Sequence, residues 1–250
     1  MAIIWKKTVG DTTYEVRSAG FSTRLYTDGV FHSQYNEKSG LSRGIWDLLM
    51  LPLFFNPEGA RRILVLGVGG GAVIRQILFH AKPEQVVGIE INPVHLHIAR
   101  RFFGVRDARV QLLQADAVAW VEQYQGEPFD LVIDDLFTES AGEPVRAVAA
   151  DGLWAEKLYA LLRAGGTLVV NFISRRQLNG SGFARPGSRL RKRVKSAFGF
   201  FLPRYENEIG AFLDFESSRR ELMAQLSGIP GLDPARLSAG VDFRMRKLRV

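Results

Sequence analysis

The chain of 250 residues contains no cysteine, which excludes disulfide bridges, thiolate metal sites and a cysteine nucleophile. The absence suits a reducing compartment. Long apolar runs are missing too. The longest, "LLMLPLFF" (Leu48 to Phe55), falls far short of a membrane span and contains a proline. The opening "MAIIWKKTVG" holds too short an apolar stretch for a secretory signal. A cytoplasmic protein with no membrane partner is expected. Histidine is scarce, and His95 and His97 stand two apart in a helical pattern, on different faces. No metal site is expected.

What is present is an ordinary globular composition, 46% hydrophobic and 24% charged. The length suits one large domain with a small appendage. The net charge is +7, and its distribution says more than its sum. From Arg175 to Lys195 there are eight basic residues and no acidic one, and the tail "FRMRKLRV" adds four more. No nucleic-acid motif accompanies them, so nucleic acid is not indicated. The segment is expected to dock an acidic acceptor. Because "NGSGFARPGS" has little to bury, it should be mobile until that acceptor binds.

Residues 13 to 36 show short β segments broken at Ala19-Gly20 and Asp28-Gly29, a meander whose exposed edges could pair into a homodimer. A helical stretch from Leu41 to Phe55 stops at Asn56-Pro57. From Arg62 onward, apolar strands ("RILVLGV", "QVVGIEI", "RVQLLQA", "DLVIDD", "GTLVVNF") alternate with helical patterns at Ala72–His80, Pro93–Phe103, Ala117–Tyr124 and Leu153–Leu162. That alternation predicts a doubly wound, Rossmann-type α/β sheet covered on both faces. "FFLPRYENEIGAFLDF" reads as one or two edge strands. The expected units are residues 1–55, the meander with its linking helix, and 56–250, the Rossmann-like domain carrying segment 175–195. Trp46, Trp120 and Trp154 sit among apolar helical residues and are expected in the core.

Ligands of such folds bind beyond the carboxyl ends of the strands. Gly67, Gly69, Gly70 and Gly71 end the first of these strands and open a helix, so a nucleotide can approach the backbone closely. Gly67, Gly69 and Ala72 also satisfy the dinucleotide fingerprint, but no Walker lysine follows. The later strands separate the alternatives. Glu90 (followed by Ile91), Asp116 (followed by Ala117) and Asp134 or Asp135 place an acid after each of three further strands. Acids suit a nucleoside with a cationic centre and suit a pyrophosphate poorly. S-adenosylmethionine or its decarboxylated form fits that description.

The segments "YEVRSAGFSTRLYTDGVFHSQ", "LLMLPLFFNPEGARRILVLGVGGGAVIRQIL", "VVGIEINP", "ARVQLLQADAVAWV", "FDLVIDDLF" and "LWAEKLYALLRAGGTLVV" occur in the order seen in spermidine synthases. The chain therefore resembles the polyamine aminopropyltransferase (spermidine synthase)-like family. The resemblance implies a methyltransferase-like Rossmann fold with an N-terminal β meander and an adenosyl cofactor. It implies cofactor contacts from Gly67, Gly69, Gly70, Gly71, Glu90, Ile91, Asp116, Ala117 and Asp134, and it selects Asp135 as the catalytic carboxylate. His32 and Gln34 lie where the family places a glutamine near the cofactor.

The polyamine site is degenerate. The family's Gly-Gly-Gly-Asp-Gly-Gly has Gly70 at the aspartate and Ala72 at the last glycine. Its Tyr-x-Glu falls near Gly44-Ile45-Trp46, and its Asp-Ser-x-Asp-Pro becomes Asp135-Leu136-Phe137-Thr138. With those acids gone, a diamine is poorly neutralised, and the carboxylate of intact S-adenosylmethionine finds room beside Gly70. Methyl transfer from S-adenosylmethionine is accordingly the expected activity. Aminopropyl transfer from the decarboxylated form, and a non-catalytic adenosyl-binding homologue, are the alternatives. The acceptor is not specified.

Overall fold

The computed structural model describes residues 1–140, 143–185, 187–236 and 241–249. Strands β1 (Ala2–Val9), β2 (Thr12–Ala19), β3 (Ser22–Thr27) and β4 (Val30–Asn36) form an antiparallel meander in chain order. Positive φ at Asp28 and Gly29 closes the β3–β4 hairpin, the geometry that matches strand twist. Alternate residues such as Tyr14, Val16, Leu25, Ser33 and Tyr35 are buried, while β1 is exposed along nearly its whole length.

The helix expected over Leu41–Phe55 is shorter and in two parts, α1 (Ile45–Met50) and a 3₁₀ turn over Leu51–Phe55. Asp47 explains the late start. Its carboxylate accepts from Ser42 N (2.7 Å), Ser42 Oγ (2.6 Å) and Arg43 N (2.8 Å), drawing those residues into a loop. Pro52 has no N–H to continue the α ladder.

Beyond this linker follow β5 (Arg62–Leu66), α2 (Ala72–His80), β6 (Gln85–Glu90), α3 (Pro93–Arg101), β7 (Val110–Gln114), α4 (Ala117–Gln123) and β8 (Phe129–Asp134). A hairpin, β9 (Phe137–Ser140) and β10 (Glu143–Arg146), precedes α5 (Gly152–Ala160) and β11 (Leu162–Phe172). The chain ends with α6 (Arg175–Gly180), α7 (Ser188–Arg193), β12 (Ser196–Phe201), β13 (Glu208–Leu213), α8 (Arg219–Ser227) and β14 (Arg244–Lys247). The large sheet has the order β14-β12-β13-β11-β8-β5-β6-β7, parallel from β11 to β7 and antiparallel beyond. Strand order reverses between β5 and β8, the crevice where α/β sheets take ligands.

Although the inner strands are apolar throughout, their side chains still alternate between two cores. Ile63, Val65, Leu131 and Ile133 pack with α1, α2 and the meander. Leu64, Leu66 and Val132 pack with α5 and α7 on the other face.

Three expectations change. The stretch expected as edge strands gives β12 and β13, but β13 is internal and the basic tail supplies the edge as β14. The β9–β10 hairpin was not anticipated. The segment 175–195 is not short of anchors: Leu178, Phe183, Leu190 and Val194 are buried, and Arg193 donates to the backbone oxygens of Tyr159 (2.6 Å) and Leu162 (2.8 Å). Pro186 of that segment lies outside the described residues. Among the described residues no helix is long and apolar enough to cross a membrane.

Candidate active site

The site is built where β5 and β8 end side by side. Asp135 N donates to Leu66 O at 2.9 Å. Gly67, at φ +85°, lets this happen, since a Cβ there would stand 2.3 Å from Asp135 O. Any side chain would push the candidate base away from the loop. Gly70 has a different reason to be bare: its Cβ would lie 2.8 Å from both Phe103 Cζ and Ser33 Cβ. The place of the family's aspartate is closed by packing.

Glu90, expected among the cofactor contacts, clamps the glycine loop in the structure. Its Oε2 accepts from Val68 N (3.1 Å) and Gly69 N (2.8 Å), and its Oε1 from Asn92 N (2.9 Å). His95 Nδ1 stands 3.8 Å from Oε1, an ion-pair distance. Burial pushes the Glu90 carboxyl up, but His95 and the backbone donors outweigh it and hold the group below the usual range. A carboxylate on those amides occupies the place a pyrophosphate would need.

Asp134 and Asp135 point to opposite faces. Asp134 is fully buried; its carboxylate accepts from Arg146 (2.7 Å), Trp154 Nε1 (2.9 Å) and Leu136 N (3.2 Å). Expected among the cofactor ligands, Asp134 instead braces the β9–β10 hairpin against β8. Asp135, half-buried, accepts from Asn171 Nδ2 at 2.7 Å. Burial pushes its carboxyl up to about 6, with Asp134 and Glu90 adding repulsion and Asn171 and Arg146 opposing. A carboxylate so tuned is a competent proton acceptor near neutral pH.

The meander forms one wall. Ser33 Oγ accepts from Gly70 N at 2.8 Å. The His32 ring lies 5.3 Å from that of His95, whose Nε2 meets Thr27 Oγ1 at 3.0 Å. Burial, then the neighbouring His95, pushes His32 down to about 4, so it is neutral at physiological pH. Gln34 turns aside to Ser42 O. His97 packs near Trp5 and not with His95 on Glu90.

Asp116 is exposed and caps α4 through Ala119 N (2.9 Å), while Ala117 is buried in the core. Ile91 is 64% exposed, an apolar side chain beside Glu90 that a flat ring could cover. Trp154 is buried as expected, but it also serves as a donor to Asp134. Asn171, Asn207, Arg146 and Ser33 were missed. One signal was legible: an asparagine inside "TLVVNF", at the carboxyl end of an apolar strand, must find buried partners.

The family model described as spermine/spermidine synthase domain matches residues 47–170. A polyamine aminopropyltransferase 2 from Caldanaerobacter subterraneus subsp. tengcongensis is 28% identical over 192 residues, 75% of this chain and 61% of its own length. A spermidine synthase from Dictyostelium discoideum is 29% identical over 153 residues, 59% of this chain and 50% of its own. The chain thus spans about half to somewhat under two thirds of these relatives. Among solved structures, a probable spermidine synthase from Corynebacterium glutamicum superposes with a TM-score of 0.73 at 16% identity, covering 99% of this chain and 92% of the other. Human methyltransferase-like protein 13 in complex with SAH gives 0.57 at 19% identity, covering 71% and 86%. At these identities the two structures speak for the fold alone.

Proposed function

We propose that this chain, whose residues 47–170 match the spermine/spermidine synthase domain, is a spermidine-synthase-like aminopropyltransferase joining the aminopropyl group of decarboxylated S-adenosylmethionine to a primary amine. The observation that carries the reading is Asp135, held against the glycine loop with its proton affinity raised to about 6. Methyl transfer, the first expectation, has less support: the matched domain and the curated relatives are of the aminopropyl type, and the methyltransferase neighbour bears on the fold only.

The residues present fit an adenosyl sulfonium. Glu90 and Asp135 supply negative charge at the strand ends, Ile91 offers an apolar face, and the loop amides are already engaged by Glu90. The donor would supply an electrophilic methylene next to a sulfonium. The chain's part is to hold the amine in line and take its proton. A C–N bond forms as the C–S bond breaks, its electron pair leaves on sulfur, and Asp135 accepts the proton shed by nitrogen. Without acids at Gly70, Trp46 and Thr138, a short diamine is not expected to be the best acceptor.

The test is incubation with decarboxylated S-adenosylmethionine and a panel of aliphatic amines, with products identified by mass spectrometry. Aminopropylated amine and methylthioadenosine in equal amounts support the reading. Methylated products from intact S-adenosylmethionine, with none from the decarboxylated form, would overturn it.

A further inference from the structure

Asn171 is 2% exposed and sits between the fully buried Val170 and Phe172 in β11. A buried amide in such a strand is costly unless both its ends are bonded. Here both are. Its Nδ2 donates to Asp135 Oδ1 at 2.7 Å, and its Oδ1 accepts from Asn207 Nδ2 at 3.0 Å. Its backbone oxygen is fixed as well, by Arg146 at 2.6 Å.

The direction of this chain of bonds follows from chemistry. An ionised carboxylate only accepts, so Asn171 must turn its NH₂ toward Asp135. Its carbonyl then faces Asn207, which must present its own NH₂ in turn. One oxygen of Asp135 is thereby engaged at a fixed angle, and the other is left for substrate.

We propose that Asn171 and Asn207 are positioning residues that lock Oδ1 of Asp135 and leave Oδ2 as the atom that takes the proton of the attacking amine. This rests on the aminopropyl-transfer reading for the identity of the proton and not for the lock itself. The charged groups that act on Asp135 are the adjacent Asp134 at the end of β8, Glu90 from β6 and Arg146 from β10. Asp134 and Arg146 neutralise each other at 2.7 Å. Against that background the Asn171 bond is the main influence favouring the ionised form.

The experiment is a carbon-13 NMR titration of the Asp135 carboxyl in the ligand-free protein, paired with pH profiles of kcat/KM. Asn171→Leu removes the donor while keeping the branched outline of the side chain. It should raise the Asp135 midpoint by about one pH unit or more, the worth of one charge-assisted hydrogen bond. Asn207→Ala, in a half-exposed loop, should raise it by less, because Asn171 can then turn its carbonyl toward a protonated Asp135. The acid limb of kcat/KM should move by the same amounts, with KM for the donor unchanged. An Asp135 titration identical to wild type in both variants overturns the proposal, and if Asn171→Leu does not fold, Asn207→Ala decides alone. Should the midpoints move as stated while no amine is aminopropylated, the lock stands and the transfer reading falls.

Discussion

Gly67 and Asp135 meet backbone to backbone: a Cβ on the glycine would stand 2.3 Å from the aspartate's carbonyl oxygen. The glycine loop and the candidate base are therefore packed directly together, and substitutions at either should be felt at both.

Asp135→Asn should lower turnover by about 10²–10⁴-fold, the usual worth of a positioned general base. Calorimetric binding of methylthioadenosine should change little. In the wild type, kcat/KM should climb with pH through about 6, because the base works only when ionised and burial has lifted its pKa to about 6. A profile flat from pH 5 to 8 would remove Asp135 from this role.

Glu90→Gln should weaken both nucleoside binding and the fold. The carboxylate ties Val68 N, Gly69 N and Asn92 N together, and each charged hydrogen bond is worth about 1.5–3 kcal/mol. Denaturant titration and calorimetry should show parallel losses, and NAD should not bind wild type or variant.

Gly70→Asp, which restores the family's acid, should destabilise the protein by about 1–3 kcal/mol through overpacking, since its Cβ meets Phe103 and Ser33 at 2.8 Å. Adding Phe103→Ala should relieve that strain. If the missing acid limits diamine use, putrescine turnover should rise in the double variant and not in Phe103→Ala alone.

His32→Gln should flatten the acid side of the stability curve. The folded pKa of His32 is depressed to about 4, below the unfolded value. Its contribution is therefore complete above about 6.5 and is lost as pH falls toward 4, by about 1–3 kcal/mol. Asp135, with a raised folded pKa, works in the opposite direction and is present in both proteins. Urea midpoints at pH 7 and pH 5 give the comparison.

Within the basic segment, Arg191 and Lys192 are exposed, while Arg193 bonds Asp214 and three backbone oxygens. Arg193→Gln should lower thermal stability. Arg191→Gln with Lys192→Gln should leave it unchanged and, if an acidic acceptor is recruited here, weaken its binding most at low salt. Equal affinity of wild type and double variant at low salt would make these residues solubilising charge only.

The parallel strands, the glycine loop and the acids at the strand ends were legible in the chain, because apolar runs punctuated by glycine are local signals. The pairing of Asp134 with Arg146 was not. Twelve positions separate them, and nothing in the periodicity of either segment announces the other. The interior place of β13 was hidden for a similar reason, since its apolar run after Glu208 suits an edge or a centre once helices cover both faces. Asn171 was the readable exception, a polar residue too deep in an apolar strand to be idle.

The bond from Gly70 N to Ser33 Oγ joins the glycine loop to the meander, and Val16, Leu25 and Tyr35 share one hydrophobic cluster with Ile63 and Val65. The chain is thus expected to melt in a single cooperative transition. Newly made chains must dock residues that leave the ribosome first onto a loop that leaves later. Deuterium uptake at the Gly70 amide would then report, without any ligand, the moment at which the candidate site comes into existence.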